Sequence, residues 1–224
     1  MNTSTQPKPA KPYKGPSMEG FVASWYAKIT KGEARAYRAC ADSVASRAVP
    51  GGEVLEIAPG PGYLAIELAK QGYRVSGIDI SHSFVRIASE NARAAGLDIA
   101  FRHGNASELP YADESFDFVV CRAAFKNFSD PVGALDEIHR VLRPGGKASI
   151  FDLRHESTRE EVDMVVDDMH LSAVSSLWTK LTFRFFLLKN AYTHEALEDM
   201  VAQSRFGRCD VLTSGVEFDL RLAK

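Results

Sequence analysis

The sequence predicts an α/β fold: a doubly wound, mostly parallel sheet with a C-terminal antiparallel hairpin and a helical lid. Three observations carry this. Between residues 53 and 152, β-type apolar runs alternate with helix-type periodicity, at the spacing of parallel strands joined by right-handed crossovers. The first of these runs, Val54-Leu55-Glu56-Ile57, leads into the turn Ala58-Pro59-Gly60-Pro61-Gly62, and a helix-type pattern follows (Leu64, Ile66, Leu68, Ala69). Beyond residue 190 the alternation stops, and two short strand-like runs flank Ser214-Gly215.

Residues 1–17 are rich in Pro, Lys, Thr and Ser without a core pattern, so a flexible tail is expected there. Residues 18–49 carry helical periodicity (Phe21, Val22, Trp25, Tyr26, Ile29, then Ala36, Tyr37, Cys40, Val44, Ala45) and form an N-terminal helical cap ended by Pro50-Gly51-Gly52. Strands are expected at 53–58, 73–79, 98–103, 116–121 and 146–152, with helices at 62–71, 82–95 and 131–142. Leu142-Arg143-Pro144-Gly145-Gly146 is read as a helix stop and turn. Residues 158–190 are expected to form a helical lid insert, Thr193 to cap the next helix, and 208–213 and 216–222 to form the terminal strands. The expected organisation is one domain over 18–224.

Composition sets the class. A chain of 224 residues with 45% hydrophobic content buries an adequate single core. A net charge of −2 gives no global drive toward nucleic acid or an anionic surface, so no nucleic-acid partner is expected. Cys40, Cys121 and Cys209 are far apart, with neither zinc nor disulfide spacing, and no metal is expected. No run approaches a membrane span and no signal core follows the N-terminus, so the expectation is a cytoplasmic protein without stable membrane insertion.

A strand that ends in a glycine turn and feeds a helix N-terminus is a nucleotide-cofactor site. Gly60, Gly62 and Ala65 form a G-x-G-x-x-A, which alone does not choose the nucleotide. Glu56, four residues before Gly60, would repel a pyrophosphate at close range and suits a cationic ligand, such as the amino group of a methionine moiety. Arg74–Asp79 forms a second strand ending in an acid that can accept from both ribose hydroxyls.

Four blocks in order, VLEIAPGPGYLAIELA (54–69), GIDIS (77–81), GNASELPYADESFDFVVC (104–121) and ALDEIHRVLRPGGKASIFD (134–152), resemble the class I S-adenosylmethionine (SAM)-dependent methyltransferases. The similarity is strongest to the group that includes the ubiquinone/menaquinone C-methyltransferases (methyltransferase type 11). It implies a Rossmann-like fold, SAM as cofactor and S-adenosylhomocysteine as product. It implies that Glu56 lies near the ligand's amino end and that Ala58, Pro59, Gly60 and Gly62 lie under its methionine portion. Asp79 matches the ribose acid and Ile80 the residue under the adenine. Asn105 and Ala106 match the loop at the adenine edge, where the family more often has Asp at 105. Cys121 and Arg122 match positions whose backbone meets the methionine moiety.

Methyl transfer needs the acceptor held in line with the methyl and water excluded. Acceptor-side candidates follow the fourth and fifth strands: Lys126 and Asn127, similar to the Arg-Asn of quinone C-methyltransferases, and Arg154 and His155, with His155 the candidate base. Phe21, Trp25 and Tyr26 of the cap, with the 158–190 insert, are expected to roof a pocket for a small apolar acceptor. The apolar stretch 178–189 has three readings: lid core, homodimer face or membrane-surface contact. Three further functional readings remain: a SAM-binding enzyme of another reaction class, a non-catalytic SAM-binding module, and an RNA or protein methyltransferase, against which stand the slightly acidic net charge and Cys121-Arg-Ala-Ala in place of an Asn-Pro-Pro-Tyr-type block.

Overall fold

The computed structural model describes residues 18–168, 173–182 and 187–224. The expected tail at 1–17 and part of the apolar stretch within 178–189 lie outside the described residues.

The helical stretch 18–49 is two helices, α1 (Gly20–Thr30) and α2 (Ala34–Ala45), separated by a 3-10 turn at Lys31–Glu33. Gly32 weakens the helix there, which is where one continuous periodic pattern divides. The alternating core follows as β1 (Glu53–Ile57), α3 (Tyr63–Lys70), β2 (Arg74–Asp79), α4 (His82–Ala94), β3 (Ala100–His103), β4 (Phe116–Arg122), α5 (Pro131–Val141) and β5 (Leu142–Leu153). The insert is α6 (Arg159–Asp168) and α7 (Ala173–Thr182), and the chain ends with α8 (His194–Ala202), β6 (Asp210–Ser214) and β7 (Glu217–Ala223).

Among the described residues, seven strands run in the order β3-β2-β1-β4-β5-β7-β6. The first five are parallel to their neighbours, and β7 lies antiparallel between β5 and β6. Strand order reverses between β1 and β4, which opens a crevice at their carboxyl ends. Period-2 alternation serves both faces of the sheet. Val54, Phe118 and Val120 pack with Leu64 and Leu68 of α3 and Val44 of α2. Leu55, Ile57, Val119 and Cys121 pack with Leu135 and Ile138 of α5 and Leu197 of α8.

Local rules explain the helix starts. Ser81 caps α4 by accepting from the Phe84 N–H (3.0 Å), Asp130 caps α5 from Gly133 N–H (3.0 Å), and Thr193 caps α8 from Ala196 N–H (3.1 Å). One boundary differs from expectation. β5 begins at Leu142 rather than 146, and the expected turn survives inside it as an irregularity: Gly145 has φ +78°, and the register to β4 shifts between Phe116 (opposite Leu142) and Phe118 (opposite Lys147). The Gly145 N–H donates to the Lys224 carbonyl (3.1 Å), and the Lys224 N–H donates to the Gly146 carbonyl (3.0 Å). A partner about eighty residues away imposes the strand, and local propensity has no access to it.

Candidate functional site

The crevice is built from three strand ends. Glu56 on β1 is fully enclosed, with 2% of its surface exposed. Burial pushes its carboxyl up to about 8 against the pull of a hydrogen bond from the Ala65 backbone, with Asp79 raising it further and Arg122 opposing. Its Oε2 is buried with no partner among the described residues. A buried carboxylate oxygen left orphaned is costly unless a cation meets it, so the position fits an ammonium group.

The turn after β1 is tightly held. Ala58, Gly60 and Gly62 all have positive φ (+55°, +53° and +80°). A side chain on Gly62 would meet the Cβ of Ala88 at 2.9 Å and Phe101 at 3.1 Å, so the α3 N-terminus needs glycine for packing as well as for φ. The space over Gly60 is open among the described residues: a Cβ there would meet none of their atoms within 4 Å. Asp79 ties this turn to the end of β2. One of its oxygens accepts from the Gly60 N–H (3.0 Å) and the other from the Ser81 N–H (2.8 Å). Burial raises its pKa, and these two backbone bonds oppose the rise. Beside this buried acid, Ile80 is 45% exposed, an apolar surface facing out at the crevice edge. Past β3, Asn105 is half-buried, and its side-chain carbonyl is committed to the Ser107 N–H (3.1 Å); Ala106 packs at the margin of the core.

On the other side of the crevice, Cys121 is fully buried, and burial raises its thiol well above the ordinary value. It is a packing residue, not a nucleophile. Arg122 turns to the α2 side, over the Tyr37 ring (5.0 Å), between Glu33 (3.6 Å) and Glu217 (3.7 Å). Ala123 then takes φ +58° and swings the chain into a 3-10 turn, Phe125–Asn127. Non-glycine residues in this region are uncommon; Ala58 and Ala123 sit after the two strands that flank the crevice.

The acceptor-side residues divide. Lys126 is held by Asp152 at the end of β5: its Nζ lies 2.6 Å from Oδ1, and its backbone N–H donates to Oδ2 (3.1 Å). Asp152 is buried, and its sequence position gave no sign of this pairing. Phe125 is fully buried and meets Phe128 (5.3 Å) and Tyr192 (5.7 Å). Tyr192, also unanticipated, arrives because Arg154 bridges to it and the His155 N–H donates to its carbonyl (3.1 Å). Asn127 is half-buried beside this cluster in the 3-10 turn. His155 itself is exposed, and its ring is bonded to no described residue. The cap divides as well. Tyr26 turns inward, edge-on to Phe84 at 5.8 Å, while Phe21 is 84% and Trp25 54% exposed. A separate cavity of about 550 Å³ lies between α2 and the C-terminal hairpin, lined partly by Cys40, Arg122, Ser214, Glu217 and Asp219. Its wall mixes apolar residues such as Phe151, Leu212 and Phe218 with Glu217, Asp219 and Arg221 of β7.

A glycine turn, an enclosed acid on β1, a second acid ending β2 and a terminal antiparallel pair define a Rossmann-like enzyme that binds an adenosyl amino-acid cofactor. Comparison with known proteins agrees. The methyltransferase domain family matches residues 55–150. The demethylmenaquinone methyltransferase of Chlorobaculum parvum is 30% identical over 165 residues, covering 70% of this chain and 67% of that protein. The ubiquinone/menaquinone biosynthesis C-methyltransferase of Bdellovibrio bacteriovorus is 42% identical over 111 residues, 48% of this chain and 46% of that protein. The chain thus spans less than half the length of some curated relatives it matches. In fold, an S-adenosyl-L-methionine-dependent methyltransferase structure from Methanococcus maripaludis superposes with a TM-score of 0.77 at 23% identity, covering 96% of this chain and 97% of the other. The chain belongs to the class I SAM-dependent methyltransferases, whose cofactor is S-adenosylmethionine.

Proposed function

We propose that this protein transfers the methyl group of SAM to a small apolar acceptor, with an aromatic hydroquinone as the first candidate. The orphaned Glu56 carboxylate carries the cofactor half of the reading: it sits at the crevice where an amino-acid ammonium completes it. The relatives' names, which refer to demethylmenaquinone and to ubiquinone/menaquinone biosynthesis, support the acceptor half.

When bound, SAM supplies a methyl group already activated on a sulfonium. In this reading Glu56 pairs with its ammonium, and the backbone of Ala58, Pro59, Gly60 and Gly62 passes under the methionine portion. Asp79 accepts from the ribose hydroxyls, Ile80 supports one face of the adenine, and Asn105 and Ala106 border its edge. The backbone at Cys121 and Arg122 closes the methionine side. The Lys126–Asp152 pair fixes the 3-10 turn, so that Asn127 and the Phe125–Tyr192 surface have one geometry against the acceptor. Tyr26 contributes the inward edge of the cap and excludes water. His155, exposed, is given no base role: a hydroquinone that arrives ionised at oxygen is already a carbon nucleophile, and the proton its methylated ring carbon sheds would pass to solvent.

The test is S-adenosylhomocysteine release from purified protein and SAM with a panel of hydroquinones, phenols, amines and thiols. Release only with hydroquinones is the expected result. Release only with amines or thiols overturns the acceptor assignment. Tight SAM binding without release from any class overturns methyl transfer to this kind of acceptor and favours a non-methylating use of the cofactor.

A further inference from the structure

Helix α1 is built in an unusual sense. The residues it buries against α4 and the body are small, Ala23, Ala27 and Thr30, while its large apolar residues face solvent. Phe21 is 84% exposed, Val22 42%, Trp25 54% and Ile29 52%. At helical spacing these four fall within an arc of about 100°, with Lys28 on its flank. A contiguous exposed stripe of Phe, Trp and Ile marks a contact surface, because solvent-facing helix positions are otherwise polar.

Charge identifies the partner. Residues 1–38 contain Lys8, Lys11, Lys14, Lys28, Lys31, Arg35 and Arg38 against Glu19 and Glu33, a net +5. The whole chain carries −2, which leaves −7 on the rest. The two acids are engaged: Glu19 accepts from the His82 (2.9 Å) and Ser83 (3.0 Å) N–H groups, and Glu33 faces Arg122 at 3.6 Å. Lys28, Lys31 and Arg35 are exposed and ion-paired to no described residue. An apolar stripe that includes Trp, flanked by free cations, is the composition of a helix lying in a bilayer interface. A second copy of the chain fits less well, because two such basic surfaces would face each other.

We propose that α1 and its flanking cations form a docking surface for an anionic lipid bilayer. Phe21, Trp25 and Ile29 enter the headgroup layer, and Lys28, Lys31 and Arg35 meet lipid phosphates. This goes beyond the methyl-transfer reading and stands whatever the acceptor is. Tyr26, on the inward edge of the same helix, packs edge-on to Phe84 of α4 (5.8 Å) and ties the surface to the body.

Vesicle partitioning of the full chain tests this, using phosphatidylcholine alone and mixed with phosphatidylglycerol. Binding is expected only to the mixed vesicles and should weaken in high salt. Tryptophan emission should shift to the blue and be quenched by lipids brominated in their acyl chains, and Trp25→Phe should remove that quenching. The pair Phe21→Ser with Ile29→Ser should weaken partitioning about 10-fold or more. The pair Lys28→Ala with Lys31→Ala should weaken it about 30-fold. No partitioning into the anionic vesicles overturns the proposal, as does partitioning unchanged in both double variants. A sedimenting dimer that the Phe21/Ile29 variant abolishes, without vesicle binding, assigns the stripe to a second copy instead.

Discussion

At the scale of single residues, Glu56 is the most consequential. With its carboxyl near 8 in the free protein, a cationic ligand at this position must displace a proton below that pH. SAM affinity should therefore rise by up to about tenfold per pH unit between pH 6 and 8 and flatten above. Calorimetric titration in buffers of different ionisation heat would show the released proton, and Glu56→Gln should bind more weakly with a flat profile. A pH-independent dissociation constant in the native protein would remove Glu56 from the ammonium seat. Lys126→Met should lower unfolding free energy by about 3 kcal/mol, because it leaves the buried Asp152 uncompensated; urea denaturation measures this. Glu56 was legible in the sequence as an acid on an apolar run that leads into a glycine turn, and Asp79 as an acid ending the next strand within the family block GIDIS. Asp152 ends the run Ser149-Ile150-Phe151 in the same way, but no glycine turn follows it, so nothing local distinguishes it from a solvated strand end. Its partner, Lys126, lies twenty-six residues away.

Among the elements, the glycine turn separates stability from binding. Gly62→Ala places a methyl against Ala88 and Phe101 at a strained φ, so it should lower stability by about 1–3 kcal/mol, read as a fall in Tm. Gly60→Ala meets no atom of the described residues within 4 Å and carries only the strain of φ +53°, about 1 kcal/mol. It should weaken SAM binding more than it lowers Tm; the opposite order would mean that the ligand does not pass over this turn. Thr193→Ala should cost about 1 kcal/mol by freeing the Ala196 N–H at the start of α8. Strands were legible because apolar residues alternate or run continuously according to how many faces are buried. The early start of β5 was not, because the segment that holds the turn at Gly145 (φ +78°) is tied to the sheet by backbone bonds of Gly145 and Gly146 to Lys224, far along the chain. The outward turn of Phe21 and Trp25 was also hidden. Periodicity reports that a helix has an apolar face, but α1 has two, and the one made of alanines is the one that packs.

For the whole molecule, the buried acids set the pH dependence of folding. Glu56, near 8 when folded and 4.5 when exposed, keeps a proton that the unfolded chain gives up, and Asp79 is shifted in the same direction. Across that window the folded state binds more protons, so stability falls as pH rises, by an order of a few kcal/mol from Glu56. Melting at pH 5 should exceed melting at pH 8, and saturating SAM should narrow the gap. If ligand-free Tm instead rises steadily from pH 5 to 8, the enclosed carboxyl is not the controlling group.

The place of β7 has a consequence for how the protein is made. This strand, residues 217–223, fills the slot between β5 and β6, so every earlier strand must leave the ribosome before the slot can be closed. Until then β5 carries one unpaired backbone edge, and β6, whose neighbour in the sheet is β7, has no strand to pair with. Released chains truncated before residue 217 should therefore be the ones that recruit chaperones or associate edge to edge, and chains that include β7 should not.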